Sequence, residues 1–277
     1  MITDASGPQG SSGIDTSVCE DDARETIDAF LTLFGTRSPS LQQIWAPMGF
    51  VWDQIGVDNR IPDLENLSDF YSHPVWLLNG LFIEQDEQSL KNRDAFATWV
   101  QSVEPGRVAD FGGGYGTLAR AISDRCSETR VEVVDPYPRP EALRASAGYH
   151  NLAFAEKLDG EYGLIIATDV FEHVTDPVGL ADEVGRHIPV GGRFLTAYHF
   201  APSIKCHLSS DLPFQAVMGP GDGEARLREG GSRELWQGLP QDVDAAAARE
   251  GPQGRAAVTP PSSGEDTAAG GNAGLSG

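Results

Sequence analysis

Five short apolar runs alternate with helix-patterned segments between residues 107 and 198, and this alternation constrains the fold more than any other feature. The runs are RVADF, VEVVD, LAFA, GLIIAT and RFLTAY. The helix-patterned segments lie around Leu118 to Arg125, Glu141 to Ser146 and Val178 to His187. Strand–helix–strand alternation predicts a parallel sheet, and nearly continuous apolar runs are typical of strands covered on both faces. We therefore expect an α/β fold, with a mostly parallel sheet and helices on both faces.

A glycine-rich run follows the first of these strands directly. Asp110 closes the strand, and the run carries Gly112, Gly113, Gly114 and Gly116. Glycine lets the backbone turn tightly and approach a ligand, although such runs also occur in ordinary turns. Asp135 closes the second strand, where a carboxylate accepts the hydroxyl hydrogens of a ribose or simply begins a turn before Pro136.

The DFGGGYG run and Asp135 together resemble the D/E-x-G-x-G-x-G signature of class I, Rossmann-like S-adenosylmethionine-dependent methyltransferases. The spacing differs from the G-x-G-x-x-G run of dinucleotide-binding dehydrogenases, whose third glycine would fall at Thr117. The resemblance implies S-adenosylmethionine as the cofactor. It places Asp110 and the glycines along the methionine part of that cofactor and Asp135 on its ribose.

A second run, YGLIIATDVFEHVTDP at residues 162–177, resembles the fourth strand and following loop of the same family, most closely in ubiquinone-biosynthesis-type O-methyltransferases. The resemblance implies that Thr168 and Asp169 line the methionine side of the cofactor. His173 would act as a base on the acceptor side, or would merely cap or pack under the next helix. In some quinone-type enzymes the matching run binds a divalent cation, so Asp169, Glu172 and His173 are weak metal-ligand candidates.

Four aromatic residues before the glycine run have two interpretations. They are Trp45, Trp52, Tyr71 and Trp76. They roof an apolar acceptor pocket, or they pack in the core, which is the commoner role of aromatic stripes. His199, just past the fifth run, is a further pocket candidate, and the contact to the adenine stays open between Glu156 and Asp159.

Charge and cysteine content limit the partners. The formal net charge is −21, from 41 acidic and 20 basic residues, and this disfavours a nucleic acid as partner, since phosphates are neutralised by Lys and Arg. A small-molecule acceptor is expected instead.

Cys19, Cys126 and Cys206 are far apart and lack CxxC spacing, which fits a reducing cytoplasm. The sequence shows no signal-peptide pattern and no apolar run of membrane-spanning length, so we expect a cytoplasmic protein without a membrane span.

The chain divides by composition into four parts. Residues 1–18 are predicted to be a disordered leader, and residues 19–104 a helical region on the acceptor side. Residues 105–208 form the predicted cofactor-binding Rossmann-like domain, which is incomplete if strands are missing from its end. Residues 209–277 are dominated by Gly, Ala, Pro, Glu and Arg and contain no Lys, so this tail is expected to be disordered or translated out of frame.

The function expected from the sequence is S-adenosylmethionine-dependent methylation of a small molecule, with oxygen slightly preferred as the acceptor atom. Two alternatives stay open. One is a truncated or degenerate cofactor-binding module without turnover, which the unusual tail favours. The other is a nucleotide-dependent oxidoreductase, which the glycine spacing disfavours.

Overall fold

The structure is a computed structural model, and it describes residues 13–197 and 204–208 of the chain. The first twelve residues, the predicted tail from residue 209 and the candidate His199 lie outside the described residues.

The described residues form a five-stranded parallel sheet with the strand order β3-β2-β1-β4-β5. The strands are β1 Arg107–Phe111, β2 Arg130–Val134, β3 Leu152–Ala155, β4 Leu164–Thr168 and β5 Arg193–Ala197. In the register, Val108 of β1 pairs with Val131 of β2 on one side and with Leu164 of β4 on the other. The strand order reverses direction between β1 and β4, and open α/β sheets bind ligands beyond the strand ends at this switch point. The predicted α/β, Rossmann-like fold is confirmed.

Eight α-helices lie within the described residues. They are α1 Asp21–Phe34, α2 Leu41–Ile55, α3 Leu64–Ser72, α4 Pro74–Ile83, α5 Glu87–Val103, α6 Thr117–Arg125, α7 Pro140–Ser146 and α8 Pro177–Arg186. A short 3₁₀ helix covers Phe171–His173. Among the described residues, none of the helices combines the length and the apolar character needed to cross a membrane.

The sheet is covered on both faces, as the apolar runs predict. On one face, Phe96 and Val100 of α5 and Ile122 of α6 share a buried cluster with side chains from the central strands. On the other face, Ala181 and Val184 of α8 pack in a second cluster with apolar residues of β1, β4 and β5. Burial on both faces is the reason that the strands read as continuous apolar runs.

The N-terminal helices α1–α4 form their own apolar core. In α1 the buried residues Ala23, Ile27 and Leu31 recur every four positions on one face, and the helix ends at Gly35, whose φ is +67°. Cys206 and Leu208, which are 1% and 2% exposed, are buried in this same core. The 204–208 segment therefore packs with the N-terminal helices.

Residues 13–18 differ from the disordered leader that the composition predicts. Ile14 is only 1% exposed, and its N–H donates to the carbonyl oxygen of Arg37 at 2.6 Å. The Arg37 guanidinium in turn donates from Nη2 to the carbonyl oxygen of Ile14 at 2.8 Å. The buried side chain of Ile14 and its backbone hydrogen bonds hold this stretch in place. The overall composition of residues 1–18 does not show the effect of this one residue.

Helix α5 packs with the sheet, although the sequence groups it with the helical region before residue 105. Its buried residues Phe96, Ala97 and Val100 belong to the cluster that contains Val108 of β1. The structural boundary between the N-terminal helices and the sheet domain thus lies before Glu87, at the end of α4.

Candidate functional site

The glycine loop connects β1 to α6 at the switch point of the sheet. Gly112, Gly114 and Gly116 have φ values of +71°, +52° and +77°, a region that favours glycine. A Cβ on Gly112 would lie 2.5 Å from Cγ2 of Val170, so the loop after β4 packs closely against this position. A Cβ on Gly114 would meet no atom within 4 Å. The backbone at Gly114 is therefore open to a ligand.

Asp135 is linked directly to this glycine loop. The backbone N–H of Gly114 donates to Oδ2 of Asp135 at 3.1 Å, and the N–H of Tyr137 donates to Oδ1 at 2.8 Å. The Asp135 N–H donates to the carbonyl oxygen of Ala155 at 2.9 Å, which extends the pairing of β2 with β3. The side chain is held in place, and each carboxylate oxygen can accept a further hydrogen bond. The structure thus brings together the residues predicted for the methionine side and for the ribose.

Asp110 lies beneath the glycine loop, 2% exposed. Its Oδ2 is buried without a hydrogen-bond partner, and a Cβ on Gly113 would lie 2.6 Å from that oxygen. Burial raises the pKa of the Asp110 carboxyl from the ordinary 3.8 to about 6, while the Arg93 guanidinium opposes the rise and Asp135 adds to it. This carboxylate would be stabilised by a cationic group placed against the loop.

Arg93 of α5 is a site residue that the sequence reasoning missed. Burial lowers its pKa, and the negative charges of Asp110, Asp169 and Glu84 oppose the shift. Its Nη1 donates to the carbonyl oxygen of Ser89 at 3.1 Å. The helical spacing of the sequence could have identified it, because Arg93 lies on the same face of α5 as the buried residues Phe96, Ala97 and Val100.

A second charged group joins the end of α4 to the glycine loop. The Glu84 carboxylate accepts hydrogen bonds from the Thr117 hydroxyl and from the guanidinium of Arg120, which is 7% exposed. Arg120 also donates from Nη1 to the carbonyl oxygen of Tyr115 at 2.7 Å. The loop geometry therefore depends on the N-terminal helices as well as on the sheet.

The loop after β4 forms the other side of the switch point. Thr168 ends β4, half-buried, and Asp169 follows with a φ of +54°. The N–H of Asp169 donates to the carbonyl oxygen of Ala197 at 2.8 Å. A non-glycine residue with positive φ is uncommon, although Asp is among the residues that tolerate it best. The predicted positions of Thr168 and Asp169 at the ligand edge of the sheet agree with this geometry.

His173 ends the 3₁₀ helix and is half-buried among aromatic rings. The ring centroids of Trp76 and His207 lie 5.6 and 5.0 Å from its own. Its Nδ1 is 3.1 Å from the carbonyl oxygen of Cys206, and the Tyr71 hydroxyl donates to its backbone carbonyl oxygen at 3.0 Å. Burial, helped by His207, lowers the pKa of His173 to about 3, against the effect of the Cys206 carbonyl. The imidazole is therefore neutral at physiological pH.

The three weak metal-ligand candidates are not grouped. Glu172 is fully buried, whereas Asp169 is exposed, and His173 is half-buried with its Nδ1 directed at a carbonyl. Within residues 13–197 and 204–208, no three His, Cys, Asp or Glu side chains are arranged to hold a metal ion.

The four aromatic candidates all lie in or against the core of the N-terminal helices. Trp52 is 2% exposed in the N-terminal core, and Trp45 is partly buried against that core. Tyr71 and Trp76 also pack on the core, but their rings reach His173, and Tyr71 stacks on Tyr137 with centroids 6.1 Å apart. These two residues connect the core to the site.

The sequence of the chain was compared with protein families and with curated proteins. A protein-family model described as "Methyltransferase domain" matches residues 83–244, more than half of the chain. The match begins at the end of α4, includes α5, and extends past residue 208 into the segment predicted as a tail. A search of curated proteins found no match.

Several solved structures are similar to the chain. PigF with SAH is 18% identical over 62% of this chain and 52% of that chain, with a TM-score of 0.39. The mitomycin 7-O-methyltransferase MmcR is 16% identical over 67% and 59%, with a TM-score of 0.41. Human N-acetylserotonin methyltransferase in complex with SAM is 18% identical over 59% and 50%, with a TM-score of 0.37. The chain spans between half and three fifths of the length of these structures.

Proposed function

The chain belongs to the family of methyltransferase domains, and we propose that it transfers a methyl group from S-adenosylmethionine to a small-molecule acceptor, with oxygen the preferred acceptor atom. The preference for oxygen rests on the motif likeness to ubiquinone-biosynthesis-type O-methyltransferases. The small acceptor rests on the net charge of −21, which is unsuited to a phosphate backbone.

The observation that carries the proposal is the hydrogen bond from the Gly114 N–H to Oδ2 of Asp135 at 3.1 Å. It joins the open glycine backbone to the acidic end of β2 at the switch point, where an adenosine ribose and an amino-acid chain have partners side by side. Asp135 would accept the ribose hydroxyls. The backbone at Gly112 and Gly114 would lie along the methionine part, and the Asp110 carboxylate beneath it would balance the ammonium charge.

On the acceptor side, the residues mainly orient the acceptor and exclude water. The bound S-adenosylmethionine supplies a methyl group on a sulfonium, which leaves by in-line displacement. Tyr71 and Trp76 give this side an apolar wall. His173, neutral at physiological pH, would accept a hydrogen bond from the acceptor and so orient it for the transfer, although burial makes the imidazole a weak base.

Two alternative functions predict different results in ligand-binding experiments. A cofactor-binding module without turnover would bind S-adenosylhomocysteine and methylate no acceptor. A nucleotide-dependent oxidoreductase would be stabilised by NAD instead. The three free thiols, Cys19, Cys126 and Cys206, fit a reducing compartment, and we propose the cytoplasm.

The test of the cofactor site is binding of S-adenosylhomocysteine, measured by calorimetry and by the rise in melting temperature. Asp135→Ala should weaken binding by roughly 1.5–3 kcal/mol, the scale of hydrogen bonds to a charged acceptor. Asp135→Asn should also weaken binding, because its NH2 group replaces an oxygen that accepts a backbone N–H. Asp182→Ala, an exposed carboxylate on α8, is the matched control and should bind as the wild type does. Unchanged affinity in Asp135→Ala would remove this residue from the site.

The test of His173 separates the acceptor side from the cofactor side. His173→Ala should lower kcat for methyl transfer while the affinity for S-adenosylhomocysteine stays within about twofold. An equal loss of both would make His173 a structural residue. A loss of activity on adding chelator, restored by a divalent metal, would indicate that His173 acts as a metal ligand and not as a base.

A further inference from the structure

The 204–208 segment lies against the loop after β4. The N–H of Leu208 donates to the carbonyl oxygen of Glu172 at 2.7 Å, and Nδ1 of His173 lies 3.1 Å from the carbonyl oxygen of Cys206. Two consecutive residues of the loop, 172 and 173, are thus held by this one segment.

The contact with Cys206 determines which nitrogen of His173 carries the proton. A carbonyl oxygen only accepts hydrogen bonds, so Nδ1 must be the donor and carry the hydrogen. In a neutral imidazole the other nitrogen, Nε2, then has a lone pair and can only accept. Held this way, His173 accepts a hydrogen bond from an O–H or N–H group and repels the lone pairs of a carboxylate.

The segment is anchored to the N-terminal helices through Asn59. The Asn59 amide donates from Nδ2 to the carbonyl oxygen of Lys205 at 2.6 Å, one residue before Cys206. Its Oδ1 accepts from Nε1 of the buried Trp52 at 3.0 Å, which fixes the orientation of the amide. The Lys205 ammonium also forms an exposed ion pair with Asp53. The Asn59 amide therefore has both its donor and its acceptor groups in use.

We propose that Asn59 is a positioning residue for His173. By holding the Lys205 carbonyl it places the Cys206 carbonyl against Nδ1, so that Nε2 is left as the hydrogen-bond acceptor of the ring. The site consequently takes acceptors that carry an O–H or N–H on the atom to be methylated, and discriminates against carboxylates. This inference rests on the proposed function, because it needs the acceptor to bind beside His173.

The tautomer is measured on the full chain with ¹⁵N-labelled histidine, from long-range ¹⁵N–¹H correlations at pH 7, and His173→Gln identifies the His173 signals. The wild type should show the Nδ1–H tautomer at His173. His73 provides an internal contrast, because its Nδ1 accepts from the Val75 N–H at 3.1 Å and its proton must lie on Nε2. A wild-type His173 with its proton on Nε2 overturns the proposal without any variant.

Asn59→Asp tests the positioning role, since it keeps the acceptor for Trp52 and replaces the donor to Lys205 by a charged oxygen. The ratio of Nδ1–H to Nε2–H tautomers at His173 should fall roughly three- to tenfold, the effect of one hydrogen bond. The control is Asn66→Asp on α3, which adds the same charge at a half-buried position and should leave the ratio unchanged. An unchanged ratio in Asn59→Asp overturns the proposal.

Kinetics distinguish this proposal from the proposed function. In Asn59→Asp, kcat for methyl transfer to an O–H or N–H acceptor should fall in proportion to the fraction of His173 in the Nδ1–H tautomer, with unchanged affinity for S-adenosylhomocysteine. Wild-type turnover on a carboxylate, in preference to hydroxyl or amine acceptors, would leave the methyltransferase function standing and overturn the inference. A wild type that does not bind S-adenosylhomocysteine would instead overturn the proposed function, whatever the tautomer.

Discussion

Asp110→Asn should stabilise the unliganded protein near neutral pH. The Asp110 carboxylate is 2% exposed, and one of its oxygens has no hydrogen-bond partner. Burial raises its pKa from 3.8 to about 6, so the folded state holds the proton more tightly than the unfolded state. Between these two values a rise in pH removes the proton from the unfolded chain first, and the folded protein loses stability. The loss of folding stability caused by ionising Asp110 is complete above pH 6 and disappears below pH 3.8.

The size of the effect follows from the same two pKa values. A difference of 2.2 between 6 and 3.8 corresponds to about 3 kcal/mol at pH 7.5. At pH 5 the unfolded carboxyl is almost fully ionised and the folded one mostly protonated, and the cost is about half as large. Because the Asn amide is also buried, the pH dependence of the gain is a sharper measure than its absolute value.

The assay is urea unfolding of wild type and Asp110→Asn at pH 7.5 and pH 5, followed by circular dichroism. The gain of the variant over wild type should shrink by about 1–2 kcal/mol between the two pH values. Asp182→Asn, an exposed carboxylate on α8, should show no such change. A variant that is less stable than wild type by the same amount at both pH values would refute the reasoning. The same variant should bind S-adenosylhomocysteine more weakly, because the ammonium of that ligand loses its counter-charge.

The remaining predictions concern the glycine loop and the cysteines. Gly114→Val should abolish binding of S-adenosylhomocysteine, because its Cβ meets no protein atom within 4 Å and its side chain fills ligand space, and the φ of +52° should add backbone strain. Gly112→Ala should instead lower the melting temperature, since its Cβ would lie 2.5 Å from Val170. Among the thiols, half-buried Cys126 should react first with iodoacetamide at pH 8, because burial raises the pKa of the other two to about 11 and 12. Mass spectrometry of partly labelled protein checks the order; first labelling at a buried thiol would contradict it.

Much of the cofactor side was predictable because its signals are local. The glycines with positive φ follow the strand that contains Asp110 within a few positions, and the acidic residue that closes β2 is recognised from its own strand. The order of parallel strands then places Asp135 beside Gly114 without further information. Residues 13–18 depart from the predicted disorder, because Ile14 is buried in the core of the N-terminal helices and its backbone pairs with Arg37, which is distant in sequence.

The sequence by itself determined the alternating strands and helices, the glycine loop and the family, because these depend on short periodic patterns. Only the tertiary structure decided the electrostatics and the proton positions. The unpaired oxygen of Asp110 and the charge of Arg93 beside it depend on how α5 packs against the sheet. Nδ1 of His173 lies against the carbonyl oxygen of Cys206, 33 positions away, and Asn59 donates to the neighbouring Lys205 carbonyl across 146 positions. Burial and hydrogen-bond partners of this kind come from chain segments that only folding brings together, so no local pattern encodes them.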